Sequence, residues 1–199
     1  MASSKNKALL EARKDLPNVW HSPLMYTLCD SPLYCCYSVL CPYCAAYQLR
    51  GRALHGDWSR FTCCQGSMPC SGSCGESKCP KFCAVTEVCC CFTLSVATTR
   101  FMLQDELRIQ NTKCDNCIIG TMFVLQYLNC ICSIVACLTD IPLIDEAALI
   151  TDRVADIAYC SVCACMQTQH KMEMDKRDGL IEPRDGTVVR APPTQHMMK

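Results

Sequence analysis

The residues of this chain with the most chemistry in them are its cysteines, and several are spaced like metal ligands. Cys35 and Cys36 are followed by Cys41-Pro-Tyr-Cys44, and far along the chain Cys160-Ser-Val-Cys163-Ala-Cys165 repeats the two-residue step. A CxxC pair sets two thiolates on adjacent corners of a tetrahedron, so two such pairs complete a four-sulfur zinc site. Cys41, Cys44, Cys160 and Cys163 are therefore the expected ligands of one structural zinc. The ion would staple the start of a domain to its end and couple folding to metal. Cys35, Cys36 and Cys165 are further candidates beside these pairs, and Cys114 and Cys117 make a third CxxC. A looser group, Cys64, Cys70, Cys74, Cys79 and Cys83, lies in a knuckle rich in Gly and Pro over 63–83. It offers a second site, with or without Cys114 and Cys117.

Cysteine makes up 22 of the 199 residues, which in a short secreted chain would mean a disulfide scaffold. The first residues argue otherwise. Met1 to Asp15 carry Lys5, Lys7, Glu11, Arg13, Lys14 and Asp15, with no apolar run long enough for a signal-peptide core. In a reducing compartment the thiols are expected free, metal-bound or acylated. Thioredoxin-like exchange at a CxxC calls for a strand leading into a helix N-terminus that depresses the thiol pKa. No alternating strand pattern precedes Cys41 or Cys160. His21, His55 and His170 have no serine or acidic partner in a hydrolase pattern, and His170 is expected at the surface near a helix end. A phosphate loop, HExxH and GxGxxG are absent. No enzyme is expected, and with 19 basic against 19 acidic residues there is no electrostatic case for nucleic acid.

These thiols need helices to hold them. Residues 31–49 carry no charge, but Pro32 and Pro42 interrupt them, so two turns flanking short helical pieces are expected. From Val85, apolar residues recur at three- and four-residue steps through Val88, Cys89, Phe92, Val96, Leu103 and Leu107. That period predicts one continuous helix over about 84–110, with Val88, Phe92, Val96 and Leu103 inward and Glu87, Asp105 and Arg108 off the stripe. Asn116 to Thr139 are uncharged, long enough for a membrane helix of about 20 residues and almost equally open to a reading as a buried core helix. A third helix should open near Asp140 and Pro142 and stop at Gly179, with Ile144, Ala148, Val154, Ile157 and Ala158 inward. The expected class is mainly α: a small cysteine-rich helical domain with metal-stapled knuckles and one or two membrane-associated apolar segments. Its divisions are an amphipathic or flexible segment at 1–19, the cysteine-rich domain at 20–175 and a disordered tail at 176–199.

At these same residues the chain resembles the placenta-specific gene 8 type cysteine-rich family, whose plant members are described as cell-number regulators and cadmium-resistance proteins. The family opens with a cysteine pair, four residues, then Cys-Pro-x-Cys or Cys-Pro-Cys; CCYSVLCPYC stands here, one residue longer in its last step than the commonest form. It closes with an Asp, Cys-x-x-Cys, a Gln and an acidic residue, matched by Asp156, Cys160, Cys163, Gln167 or Gln169, and Glu173. Between them TTRFMLQDELRIQNTKCDNC is a partial counterpart of the family's Arg-rich helix. The resemblance covers roughly 20–173, and the knuckle and the apolar stretch after Cys117 exceed the compact family pattern.

What the resemblance implies is association with the plasma membrane or another membrane, self-association, and a link to divalent-metal handling or control of cell proliferation. The first expectation for function is thus a membrane-associated regulator or scaffold with structural zinc, its cysteine-rich parts facing the cytosol, its partners membrane lipid, its own copies and other proteins. The second is transport, efflux or buffering of zinc or cadmium, both of which suit soft thiolates. Cys130, Cys132 and Cys137 in the apolar stretch would line such a path or pack as small apolar groups.

Overall fold

Prolines set most of the helix starts. Pro32, Pro42 and Pro80 each take the first turn of a helix, where a missing N–H breaks no bond and φ is already helical. The computed structural model of the chain describes residues 13, 16–66, 71–72, 75–139 and 142–181. The amphipathic helix expected at the start (Arg13 and Leu16 apart), Cys70, Cys74 and the tail beyond 181 lie outside the described residues. The principal helices are α1 (Pro32–Leu40), α2 (Pro42–Ala53), α3 (Pro80–Cys90), α4 (Phe92–Leu107), α5 (Lys113–Thr139) and α6 (Pro142–Arg177). The fold is mainly helical. Among the described residues the only β pairing is a single parallel bridge between Asn18 and Ile109.

The helix expected over 84–110 is in fact two helices. Cys91 leaves the helical region at φ −132° and ψ 46°, and α3 and α4 are bent by 118° across it. Periodicity could not show the break, because each arm keeps its own apolar face. The bend lets Val88 from α3 and Val96 from α4 enter one cluster with Leu24, Ala46 and Met166, against which Phe92 packs partly buried. Leu103 joins a second cluster of Trp20, Leu49, Ala53, Leu107, Ile109 and Met174. Asp105 and Arg108 are exposed as expected, but Glu87 is buried.

Helices α1 and α2 break in a similar way at Cys41, where φ is −136° and ψ is 63°. Nine residues beyond each break cysteine stands an arginine, Arg50 and Arg100, and both are buried.

Helices α5 and α6 pack along one another across a two-residue link, with Asn129 of α5 donating to Asp152 of α6 at 2.9 Å. The second half of α6 enters the body, where Cys163, Ala164, Met166, Met172 and Met174 are buried against α1, α2 and α4. The helix ends as expected at Gly179, whose φ of 73° is the left-handed turn glycine takes most readily. Its first half is covered by α5 on one side only. Ala148 and Ala155 therefore face inward, whereas Val154 and Ile157, expected inside, are 49% and 68% exposed.

Candidate functional site

Among the described residues the ligand atoms of Cys41, Cys44, Cys160 and Cys163 are not gathered into one group. Cys41 caps α2, Cys44 lies in its first turn, and their sulfurs are in contact with each other. On α6 Cys160 is exposed while Cys163 is buried beside Val96, Ala97, Ile119 and Met122. Burial pushes the Cys163 thiol up to about 12, with the charge of Cys160 adding to the shift and a hydrogen bond with Tyr159 opposing it. Phe92 occupies the ground between the two motifs. Its ring lies 5.1 Å from that of Tyr43 and 6.2 Å from that of Tyr159, so the link from α2 to α6 here is aromatic. One opening and one closing cysteine do meet: Cys35, buried in α1, touches Cys165 thiol to thiol. Cys36, Cys79, Cys114 and Cys117 are exposed and Cys83 is partly buried.

A polar network ties the start of the body to its end. Arg100 donates to Gln169 Oε1 at 2.5 Å and to Asp115 Oδ2 at 3.2 Å. Asp115 also accepts from the Leu24 N–H at 3.3 Å and from Thr112 Oγ1 at 3.2 Å, while Gln169 Nε2 donates to the Ser22 carbonyl at 2.8 Å. The Arg100 guanidinium lies 4.1 Å from the centre of the Trp20 ring, a cation–π contact. Burial lowers Arg100 to about 10, against the pull of Asp115, so it is charged at neutral pH. His170, expected at the surface, is fully buried; burial and then Arg100 hold it well below the usual histidine range.

A third constellation lies where the chain turns after Phe61. Cys63, Cys64 and Glu87 bring one ligand atom each within 4.8 Å of the others, and among the described residues no other group of three or more does so. The turn is held by two buried carboxylates. Glu76 accepts from the N–H groups of Cys63 and Gly72 at 3.1 and 2.7 Å, and Glu87 accepts from that of Cys64 at 2.7 Å. Behind them lies the buried guanidinium of Arg50, 3.7 Å from Glu87 Oε1. Burial, then the neighbouring Cys64 thiol, pushes the Cys63 thiol far above its ordinary range, and burial followed by Glu87 raises Cys64. Without a cation both are neutral thiols at physiological pH.

No family model, curated protein or solved structure matches the chain.

The remaining feature with functional content is the outer surface of the α5–α6 hairpin. Lys113–Leu138 is long and apolar enough to cross a membrane, and only 6% of its most apolar stretch is buried. Val124, Tyr127, Leu128, Ile131, Ile134, Val135 and Leu138 are exposed on α5, and Leu149, Ile150, Val154 and Ile157 on α6.

Sequence reasoning missed Cys63, Glu87, Arg50 and the Arg100–Asp115 pair as site residues. The available signal was charge inside apolar stretches: Arg100 interrupts the run that begins at Val88, and Glu87 adjoins three consecutive cysteines two positions on. Buried charges require partners, but which partner each finds depends on the bends.

Proposed function

We propose that the chain is a membrane-associated, non-enzymatic cysteine-rich regulator or scaffold. The exposed apolar surface of α5 carries this reading. Taking seven such side chains out of water is worth on the order of 10 kcal/mol, ample for stable membrane attachment. The returning helix α6 bears Glu146, Asp152, Arg153 and Asp156. Each charge at the bilayer centre costs about 2.5–3.5 kcal/mol, which favours a hairpin embedded at the interface over a second full crossing. The body then stands on the cytosolic side, its thiols available to partners or acylation, and the family resemblance adds the plasma membrane and cell-number control as its setting. Structural zinc within the body belongs to the same reading.

Flotation of the full chain with vesicles of phosphatidylcholine and phosphatidylserine tests it. Co-flotation is the expected result. Recovery in the unbound fraction, without detergent, would overturn membrane attachment. If that fraction were a stable oligomer, the apolar faces would be pairing between copies instead.

A second reading, zinc or cadmium transport or buffering, is favoured by Cys130 and Cys137 lying exposed along α5. Unchanged cadmium tolerance in a sensitive host expressing the chain would count against it.

A further inference from the structure

Cys63, Cys64 and Glu87 stand apart from both expected CxxC ligand pairs and from the apolar hairpin, and no part of the membrane reading depends on them. We propose that they form a binding site for a thiophilic divalent cation of the zinc or cadmium class. The Cys63 and Cys64 sulfurs are 3.8 Å apart. A tetrahedron with corners about 2.3 Å from its centre, the zinc–sulfur distance, has an edge of about 3.8 Å. Adjacent cysteines reach this spacing here with Cys64 and Gln65 both in left-handed backbone, at φ 48° and 53°. The two thiols thus lie on one side of the turn, facing Glu87.

Glu87 is the group that points to a cation. The residue is 3% exposed, its Oε2 is taken by the Cys64 N–H, and its Oε1 has no hydrogen-bond partner. Buried carboxylate oxygens are rarely left so, because an unsatisfied charged acceptor costs more than a neutral one. Arg50 approaches this oxygen only to 3.7 Å, and a cation held between the Glu87 carboxylate and the two sulfurs would complete its environment. Two thiolates and Glu87 carry three negative charges, offset by a divalent ion and Arg50, while the further carboxylate of Glu76 is held by the N–H groups of Cys63 and Gly72. On binding, each thiol releases its proton to solvent and the sulfur lone pair takes its place on the metal. Cys91, close enough to Cys64 for their charges to interact, or a water is the natural fourth ligand. Glu76 is a positioning residue that holds the turn through the backbone of Cys63 and Gly72.

Residue-resolved thiol labelling separates this site from the other cysteines. The reduced full chain, in detergent micelles, is treated with N-ethylmaleimide over a series of buffered zinc chloride concentrations, and each cysteine is read by peptide mass spectrometry. Zinc should slow labelling of Cys63 and Cys64 together by at least tenfold. Glu87→Gln keeps an acceptor for the Cys64 N–H but removes the charge, and should raise the zinc needed for protection by tenfold or more. Cys63→Ser should do the same for Cys64. Cys35 and Cys163, buried elsewhere, report the fold in every variant by staying unreactive. If Glu87→Gln exposes them, Cys63→Ser decides. The proposal is overturned if zinc leaves both labelling rates unchanged in the wild type. It is equally overturned if folded variants are protected as well as the wild type, or if the pair proves to be a Cys63–Cys64 disulfide that zinc does not prevent.

Discussion

Arg100 meets Asp115 at 3.2 Å inside the body, with side chains 4% and 2% exposed, and Gln169 closes the pair onto α6. This pair joins the start of the body, through Ser22 and Leu24, to its end. Breaking a buried pair by removing one partner leaves an uncompensated charge, worth about 3–5 kcal/mol. Arg100→Met and Asp115→Asn should each lower stability by that order in denaturant unfolding, and the double variant should lose much less than their sum. Arg100→Lys should rescue little, because one ammonium does not reproduce the fork that reaches Asp115 and Gln169. Additive losses would mean the two side chains act independently.

His170 makes stability depend on pH. Its folded value is depressed by burial and by Arg100, so the unfolded chain binds the proton more readily. The contribution is fully present above the ordinary histidine value of about 6.5 and is lost as pH falls from there toward the folded value. Unfolding free energy should drop by about 1.4 kcal/mol per pH unit below pH ~6 from this group alone. Subtracting the profile of His170→Gln isolates it; an unchanged slope in that variant would assign the dependence elsewhere.

Cys160 and Cys163 are one turn apart on α6 but differ in burial, and this separates them experimentally. Cys163→Ser puts a hydroxyl among apolar neighbours and should cost about 1–3 kcal/mol. Cys160→Ser should cost almost nothing. Equal losses, accompanied by equal release of bound zinc, would instead support a shared metal site.

Ile131 lies on the exposed face of α5 at 57% exposure. If that face lies in hydrocarbon, Ile131→Asp should weaken vesicle partitioning by about 3 kcal/mol, roughly a hundredfold. Helix content by circular dichroism should be unchanged, since the side chain does not support the body. Undiminished flotation of this variant would move the membrane contact off α5.

By itself the sequence determined the helical class, the interruptions at Pro32 and Pro42, the helix start at Pro142, the stop at Gly179, and the apolar stretch that became α5. These are local properties. A proline at the first turn, a glycine past the last and a 3.6-residue period act within a few residues of themselves. Tertiary structure decided everything that depended on direction. The period from Val85 to Leu107 is the same in a straight helix as in two helices bent at Cys91, yet only the bend brings Val88 and Val96 into one cluster. The turn at Cys64 and the neighbouring bend set Glu87 against Cys63 and Cys64, and the Arg100 of the second arm meets Asp115 at the start of α5. CxxC spacing shows that two thiols can share a metal, but not whether a second pair arrives. Here the contact from α2 to α6 runs through the rings of Tyr43, Phe92 and Tyr159. Which side chains meet there depends on how α2, α4 and α6 pack together, and large apolar rings gain more from burial than small thiols do.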